Sequence, residues 1–162
     1  MQKKCLEPWV DDKTRALIVG TMPGEESLQK QTYYANSRNK FWTYIQNILN
    51  NGQELHSVDE KKRFLLSKGI GLWDSLSICE REGSLDSHIK KQQANDFSQF
   101  ESVQYILFNG QKAAKYFKAY NGEYLSKRKA FDLPSTSPAN ASIPDIKKFE
   151  QWKEALLSIL DK

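Results

Sequence analysis

The chain has 162 residues, 39% of them hydrophobic, 12% aromatic and 27% charged. That is the size and composition of one globular domain and not of a disordered chain. A formal net charge of +4 suits a polyanionic partner without requiring one. Two cysteines and two histidines exclude a four-cysteine zinc or iron–sulfur site and leave little for histidine-based catalysis.

The N-terminal stretch MQKKCLEPWV lacks the apolar core of a signal peptide, and residues 1–11 read as a loose segment. No run is apolar enough to span a bilayer. With Cys79 read as a buried free thiol and Cys5 in the loose segment, the expectation is a soluble cytoplasmic protein. Ala16–Val19 is a short apolar run followed at once by Gly20, Pro23 and Gly24, the pattern of a strand buried on both faces that ends in a loop. Asn39–Leu49 has helical spacing, with Phe41, Tyr44, Ile45, Ile48 and Leu49 on one stripe and Asn36, Ser37 or Asn39 as its cap. Ser57–Ser67 reads as a second helix, with Ser57 and Glu60 spaced as a capping box.

Ile70–Leu76 reads as the second strand, with Asp74 near its end, where a carboxylate needs a partner. Ser84–Phe97 reads as one polar helix. Val103–Phe108 is the third strand. Asn109-Gly110 fits a hairpin turn, but the helical spacing of Lys112–Tyr120 favours a strand-to-helix turn. Lys129–Leu133 is a short fourth strand, and residues 134–144 form a loop. The chain closes in a helix over Ile146–Leu160, with Phe149, Trp152, Leu156, Leu157 and Leu160 inward. Strands alternating with helices predict an α/β fold with a mostly parallel sheet covered on both faces, in a single domain over residues 1–162.

Several chemistries are excluded by motif. Gly20–Gly24 is neither a dinucleotide fingerprint nor a P-loop, and there is no Gly-x-Ser-x-Gly elbow. His56 and His88 stand in polar contexts and read as solvated residues. What remains is a site of amides, backbone N–H groups and aromatic faces at the ends of strands, where open α/β sheets bind ligands. The turn Gly20–Gly24 exposes backbone donors. Tyr33 and Tyr34 offer a stacking face, or are packing residues. Asn39 orients a water or a base edge, or is a helix cap.

At these residues the chain resembles the uracil-DNA glycosylase superfamily, and within it the hypoxanthine-DNA glycosylase (DNA-deoxyinosine glycosylase) branch. The resemblance is carried by Gly20-Thr21-Met22-Pro23-Gly24, Ser27-Leu28, Tyr33-Tyr34-Ala35 and Asn39-Lys40-Phe41-Trp42. It continues through Gly71-Leu72-Trp73-Asp74, the stretch Arg81–Asp86, Asn109-Gly110 and Ser135–Ala141. It implies a three-layer α/β/α fold around a four-stranded, mostly parallel central sheet. It also implies an enzyme that flips a damaged nucleotide out of DNA and hydrolyses its N-glycosidic bond, leaving an abasic site. That bond breaks with negative charge on the leaving base, so preorganised donors matter more than a strong nucleophile.

Residue by residue, the resemblance makes Asn39 the water-positioning group and Tyr34 the aromatic that stacks on the flipped base, with Tyr33 and Gly20 beside it. Thr21 and Met22 lie in the loop that lines the pocket. Met22 stands where the mismatch-specific uracil branch carries a catalytic asparagine, and the principal uracil branch carries an aspartate in that loop. Both departures shift the expected substrate to hypoxanthine. Asp74 matches a base-reading position; its carboxylate would accept from the N1–H of hypoxanthine, or hold a neighbouring loop. Asn109 matches a second functional asparagine of the branch, or serves the Asn-Gly turn.

In the second segment, Ser135, Thr136 and Ser137 are expected to contact phosphates, and Pro138, Ala139 and Asn140 to wedge into the duplex. Lys127, Arg128 and Lys129, close to it in sequence, and Arg38 beside Asn39, are expected to grip the backbone. Lys112, Lys115 and Lys118 extend this basic cluster, or form a solvated helix face; only Glu123 opposes the cluster between positions 111 and 130. The partner is DNA, double- or single-stranded, holding a damaged base. No cofactor, metal, membrane or obligate protein partner is expected. With no lysine placed for a Schiff base, the expected enzyme is monofunctional. Alternatives are a glycosylase for uracil, xanthine or another damaged base, a catalytically weak DNA-binding module, and a hydrolase of free nucleosides.

Overall fold

The computed structural model describes residues 2–4, 6–80, 90–138 and 142–160, with backbone alone for 2–4, 78–80 and 90–92. The strands are β1 (Gln2–Lys4), β2 (Ala16–Gly20), β3 (Ile70–Asp74), β4 (Leu76–Glu80), β5 (Lys90–Ala94), β6 (Tyr105–Asn109) and β7 (Lys129–Leu133). The helices are α1 (Glu25–Lys30), α2 (Phe41–Leu49), α3 (Val58–Ser67), α4 (Gln111–Ser126) and α5 (Asp145–Leu160).

A four-stranded sheet runs in the order β3-β2-β6-β7. All three of its pairings are parallel. Every residue of β2 and β3 is buried, as layers of helix on both faces require. On one face Phe108 meets Phe117 of α4 at 5.2 Å, and Trp73 meets Phe97 at 4.9 Å. A second aromatic group joins Trp9, Tyr33, Phe41 and Trp152, and α2 packs against α5. The result is a three-layer α/β/α domain with the topology expected from the strand–helix alternation.

The register fixes where the ends of the strands lie. Gly20 pairs with Asp74, and Asn109 with Leu133. The carboxyl ends of all four strands therefore share one edge of the sheet. Asn109-Gly110 is the turn from β6 into α4 and not a hairpin. Gly110 has φ +98°, and a Cβ there would sit 3.1 Å from that of Ser135.

Five elements depart from the sequence expectation. The single strand expected over Ile70–Leu76 breaks at Ser75. The Ser75 and Leu76 N–H groups turn to the Gly20 and Thr21 carbonyls at 2.8 and 3.1 Å, and the Ser75 hydroxyl donates to the Ala113 carbonyl at 2.8 Å. The chain so leaves one sheet and starts β4 of another, the antiparallel sheet β1-β4-β5. Part of the expected polar helix over Ser84–Phe97 is instead strand β5; pairing with β4 overrides the helical propensity of its lysines and glutamines. Residues 84–89 of that expectation, with the Arg81–Asp86 stretch and His88, lie outside the described residues. So does Cys5, and the Cys79 side chain is likewise not described.

The N-terminal segment expected to be loose is docked. Trp9 and Leu6 are buried, Trp9 exchanges backbone bonds with Leu72, and β1 pairs with β4. Helix α1 was not foreseen, being only 6 residues long. In α5 Trp152 and Leu156 face inward as expected, joined by Ile159, while Leu157 is exposed. Ser57 caps α3 as expected, its hydroxyl accepting from the Glu60 N–H at 3.0 Å, while the Glu60 side chain reaches past the cap to accept from the His56 N–H at 2.8 Å. The His56 ring is solvated, 3.8 Å from Glu54. No helix among the described residues is long and apolar enough to cross a membrane.

Candidate active site

A cavity of about 260 Å³ opens at the carboxyl edge of the parallel sheet. Its floor is the turn after β2. Gly20 is required there by close approach: a Cβ would lie 2.6 Å from Asp74 Oδ1 and 2.9 Å from the Tyr34 hydroxyl. Asp74, at the end of β3, is only 3% exposed. Thr21 and Met22 continue the floor. Met22 is buried beside Leu76, so its thioether fills space and offers no strong donor or acceptor.

The wall comes from the segment between α1 and α2. Ser27 accepts the Ala35 N–H at 3.0 Å and so fixes the bend that carries Tyr34. Tyr34 itself has φ +56°, a left-handed conformation that an aromatic residue adopts only when its surroundings impose it. Its ring stacks on Phe41 with centroids 4.2 Å apart and planes 30° off parallel. Tyr33 touches the cavity but is buried in the core. It meets Trp9 edge-on, and its hydroxyl donates to the Glu7 carbonyl at 2.6 Å. The packing alternative holds for Tyr33, and the pocket position belongs to Tyr34.

Asn39 lines the cavity two residues before α2. Its Oδ1 accepts the N–H of Phe41 at 3.0 Å, so it does serve the helix start. Neither Asn36 nor Ser37 caps the helix; the Asn36 side chain accepts the Arg38 N–H instead, at 2.8 Å. An amide oxygen has two lone pairs and its nitrogen two donors. One helix bond therefore orients the Asn39 amide and leaves it chemical capacity toward the cavity.

The second segment closes the opposite side. Asn109 is buried and bonded to Thr136 in both directions: Nδ2 donates to Oγ1 at 3.0 Å, and Oδ1 accepts the Thr136 N–H at 2.9 Å. It borders the cavity, but this reciprocal clamp is what its amide does here. The Trp152 indole donates to the Pro134 carbonyl at 2.9 Å, and the Lys40 N–H to the Thr136 carbonyl at 3.1 Å. The last bond ties the two segments together beside Asn39. Ser135, Thr136, Ser137 and Pro138 all border the cavity, with Pro138 exposed. Ala139 and Asn140, the rest of the expected wedge, and Ala141 lie outside the described residues. Arg38 is exposed next to Asn39.

The grip expected of Lys127, Arg128 and Lys129 is not at this site. Strand β7 carries the chain from Lys129 to Leu133, about 13 Å in extended conformation. The three residues so lie at the opposite edge of the sheet from the cavity. Arg128 is moreover held by carbonyls. Its guanidinium donates to Val103 at 2.7 Å and Tyr124 at 3.0 Å and stacks 3.5 Å from the Tyr124 ring. Sequence closeness to the second loop misled because an extended strand separates ends that numbering keeps together.

Ser27 and Trp152 support the site without having been assigned a role from sequence. Ser27 belonged to the quoted motif; nothing in the spacing of Trp152 set it apart from other core aromatics. Among the described residues, no three His, Cys, Asp or Glu side chains gather into a metal-binding group.

This architecture, an aromatic and amide-lined cavity at the carboxyl edge of a parallel sheet, agrees with the comparisons. The model of the uracil DNA glycosylase superfamily matches residues 7–160. A hypoxanthine DNA glycosylase of Methanosarcina acetivorans is 35% identical over 144 residues, covering 86% of this chain and 89% of that protein. One of Methanosarcina barkeri is 35% identical over 122 residues, covering 72% and 76%. The solution NMR structure of a candidate uracil DNA glycosylase of Methanosarcina acetivorans superposes with a TM-score of 0.83 at 31% identity, each chain covered in full. The chain belongs to the uracil DNA glycosylase superfamily. Within it, the resemblance lies with the hypoxanthine DNA glycosylase branch.

Proposed function

We propose that this DNA glycosylase removes hypoxanthine from DNA as a monofunctional enzyme, with Asn39 positioning the attacking water. The observation that carries the reading is that Asn39 and Asp74 line one cavity together with Met22, which stands where the resemblance to the uracil branches would put a catalytic amide or carboxylate. The curated relatives named for hypoxanthine support the choice of base.

The mechanism follows from the groups present. The extruded base enters the cavity against Tyr34, whose ring is braced from behind by Phe41. Asp74, acceptor-only when ionised, takes the N1–H of hypoxanthine. Loss of the base leaves positive charge on the sugar and negative charge on the purine. Backbone N–H groups of the turn after Gly20 are the donors available to that anion. Because the sugar carbon becomes strongly electrophilic, a water held by the Asn39 amide suffices as nucleophile, and the proton it gives up on forming the C–O bond passes to the departing purine anion. No lysine borders the cavity among the described residues, which favours hydrolysis over Schiff-base chemistry.

The test is abasic-site formation on duplexes carrying one hypoxanthine, uracil or xanthine, with Asn39→Ala beside the wild type. Hypoxanthine release that is lost in the variant is expected. Tight binding with no release from any duplex would overturn the enzymatic reading. Full activity in Asn39→Ala would overturn the mechanism and leave the class standing.

A further inference from the structure

We infer that the edge of the parallel sheet remote from the cavity is a second DNA-binding surface, holding the phosphate backbone of another duplex segment while the cavity holds the first. The inference rests on the DNA glycosylase reading only for its choice of polyanion.

The four strands begin in one row, joined by backbone bonds. The Arg15 N–H donates to the Gly69 carbonyl at 2.8 Å, the Gln104 N–H to the Arg15 carbonyl at 2.7 Å, and the Lys129 N–H to the Gln104 carbonyl at 3.1 Å. At the usual spacing of neighbouring strands this row is about 14 Å long. Basic residues flank three of its four strand starts. Lys68 precedes β3, Lys13 and Arg15 precede β2, and Lys127 and Lys129 flank the start of β7. Arg63 joins from the last turns of α3. Lys13, Arg15, Arg63 and Lys68 border one open cleft of about 620 Å³. All of these except Arg15 are exposed.

Among the described residues, the carboxylates nearest this edge are Asp11, Asp12, Glu101 and Glu123. Asp11 is engaged locally, accepting from the Lys13 N–H at 2.9 Å and the Thr14 hydroxyl at 3.1 Å. The balance at the edge is positive, whereas the cavity at the other end is bordered by Glu26 and Asp74 and by no lysine or arginine. A duplex carries one charge per about 3.4 Å of axis on each strand, so a row of this length spans about four phosphates of one strand. None of the exposed large apolar side chains, Val58, Tyr120, Ile146 and Leu157, lies in this row. A long charged row with no apolar anchor fits a regular array of phosphates better than an acidic peptide, which binds through anchors. Such an edge would let the enzyme pass between DNA segments without full release.

The experiment is bridging. A hypoxanthine-containing duplex is immobilised, protein is added, and retention of a labelled undamaged duplex is measured at about 50 mM salt. Wild-type protein is expected to retain it. Lys13→Gln/Arg63→Gln/Lys68→Gln is expected to cut retention at least about tenfold, while single-turnover excision on a short duplex stays within about twofold. Lys127→Gln/Lys129→Gln, a second variant at the far end of the row, is expected to lower retention independently, so the test survives misfolding of either. No retention by the wild type, retention by both variants equal to that of the wild type, or retention of poly-glutamate in preference to duplex overturns the inference. Charge-dependent retention without excision of any base would sink the glycosylase reading and leave the second surface standing.

Discussion

The two segments that form the cavity sit on the same edge of one sheet, yet they are held in opposite ways. From Gly20 to Asn39 the side chains converge on the cavity, and single bonds orient them: Ser27 to the Ala35 N–H, Asn39 to the Phe41 N–H. From Leu133 to Pro138 the chain is bound from behind, by Asn109 on Thr136 and by Trp152 on Pro134. On the proposed reading the first region presents chemistry and the second is a fixed rim. The difference teaches that an asparagine bordering a cavity is not by that fact catalytic. Asn39 uses one lone pair on the backbone, whereas Asn109 bonds through both ends of its amide to a single partner.

The sharpest way to break this contrast is Gly20→Ala. Its Cβ would enter the space of Asp74 Oδ1 and the Tyr34 hydroxyl, so two cavity groups must move together. Displacement of about an ångström costs about 10²-fold for one group. Excision is expected to fall by about 10³-fold or more, with folding stability lower by about 1–3 kcal/mol from overpacking. Single-turnover kinetics and urea unfolding measure both. Next comes Asn39→Ala, expected to lower excision by about 10²- to 10³-fold while costing stability about 1 kcal/mol for the lost helix-start bond. A loss of stability with unimpaired excision would make Asn39 a cap and nothing more.

The rim responds in the reverse sense. Asn109→Ala leaves the buried Thr136 hydroxyl and N–H without their partner, and is expected to destabilise by about 2–3 kcal/mol. Its effect on excision should track the loosened loop, appearing mainly in KM. A fall in kcat at unchanged stability would move Asn109 into the chemistry. Trp152→Phe keeps most of the ring packing against Phe41 but removes the bond to Pro134, for about 1 kcal/mol.

How much of this was legible in the sequence depends on whether local pattern or distant pairing decided the outcome. Strands β2, β6 and β7 and helices α2, α3 and α5 carry their own apolar period and stops, and were found within about two residues. Asp74 stands out because a strand-end carboxylate is odd without a partner, whereas Tyr34 is set apart from Tyr33 only by the family resemblance. The polar stretch Lys90–Ala94 was read as helix because its only reason to be a strand is β4, its partner across the intervening segment. Tyr33 and Tyr34 look alike in sequence. Only the left-handed bend at Tyr34 sends one ring to the core and sets the other over Gly20. Lys127–Lys129 were misplaced because the direction of β7 through the sheet is invisible until its pairing with β6 is known.

The last prediction tests whether the two regions are coupled at all. Helix α2 begins two residues after Asn39, and α5 begins after the second loop; the Tyr44 hydroxyl joins them through Asp145 Oδ1 at 2.5 Å. Burial, and then the Asp145 carboxylate, push the Tyr44 phenol well above its ordinary pKa of about 10. A raised phenol pKa means that the folded state retains its proton while the unfolded chain releases it. The stabilisation is thus complete below pH about 10 and is lost as pH climbs from there toward the folded pKa. Tyr44→Phe keeps the ring against Phe149, 5.4 Å away, and removes only the hydroxyl. At pH 8 it is expected to be less stable than wild type by about 1–2 kcal/mol, a gap that narrows steadily above pH 10. A gap that is constant across that range would mean that the phenol titrates alike in both states. The Tyr44–Asp145 bond would then not couple the chemistry-bearing segment to the rim.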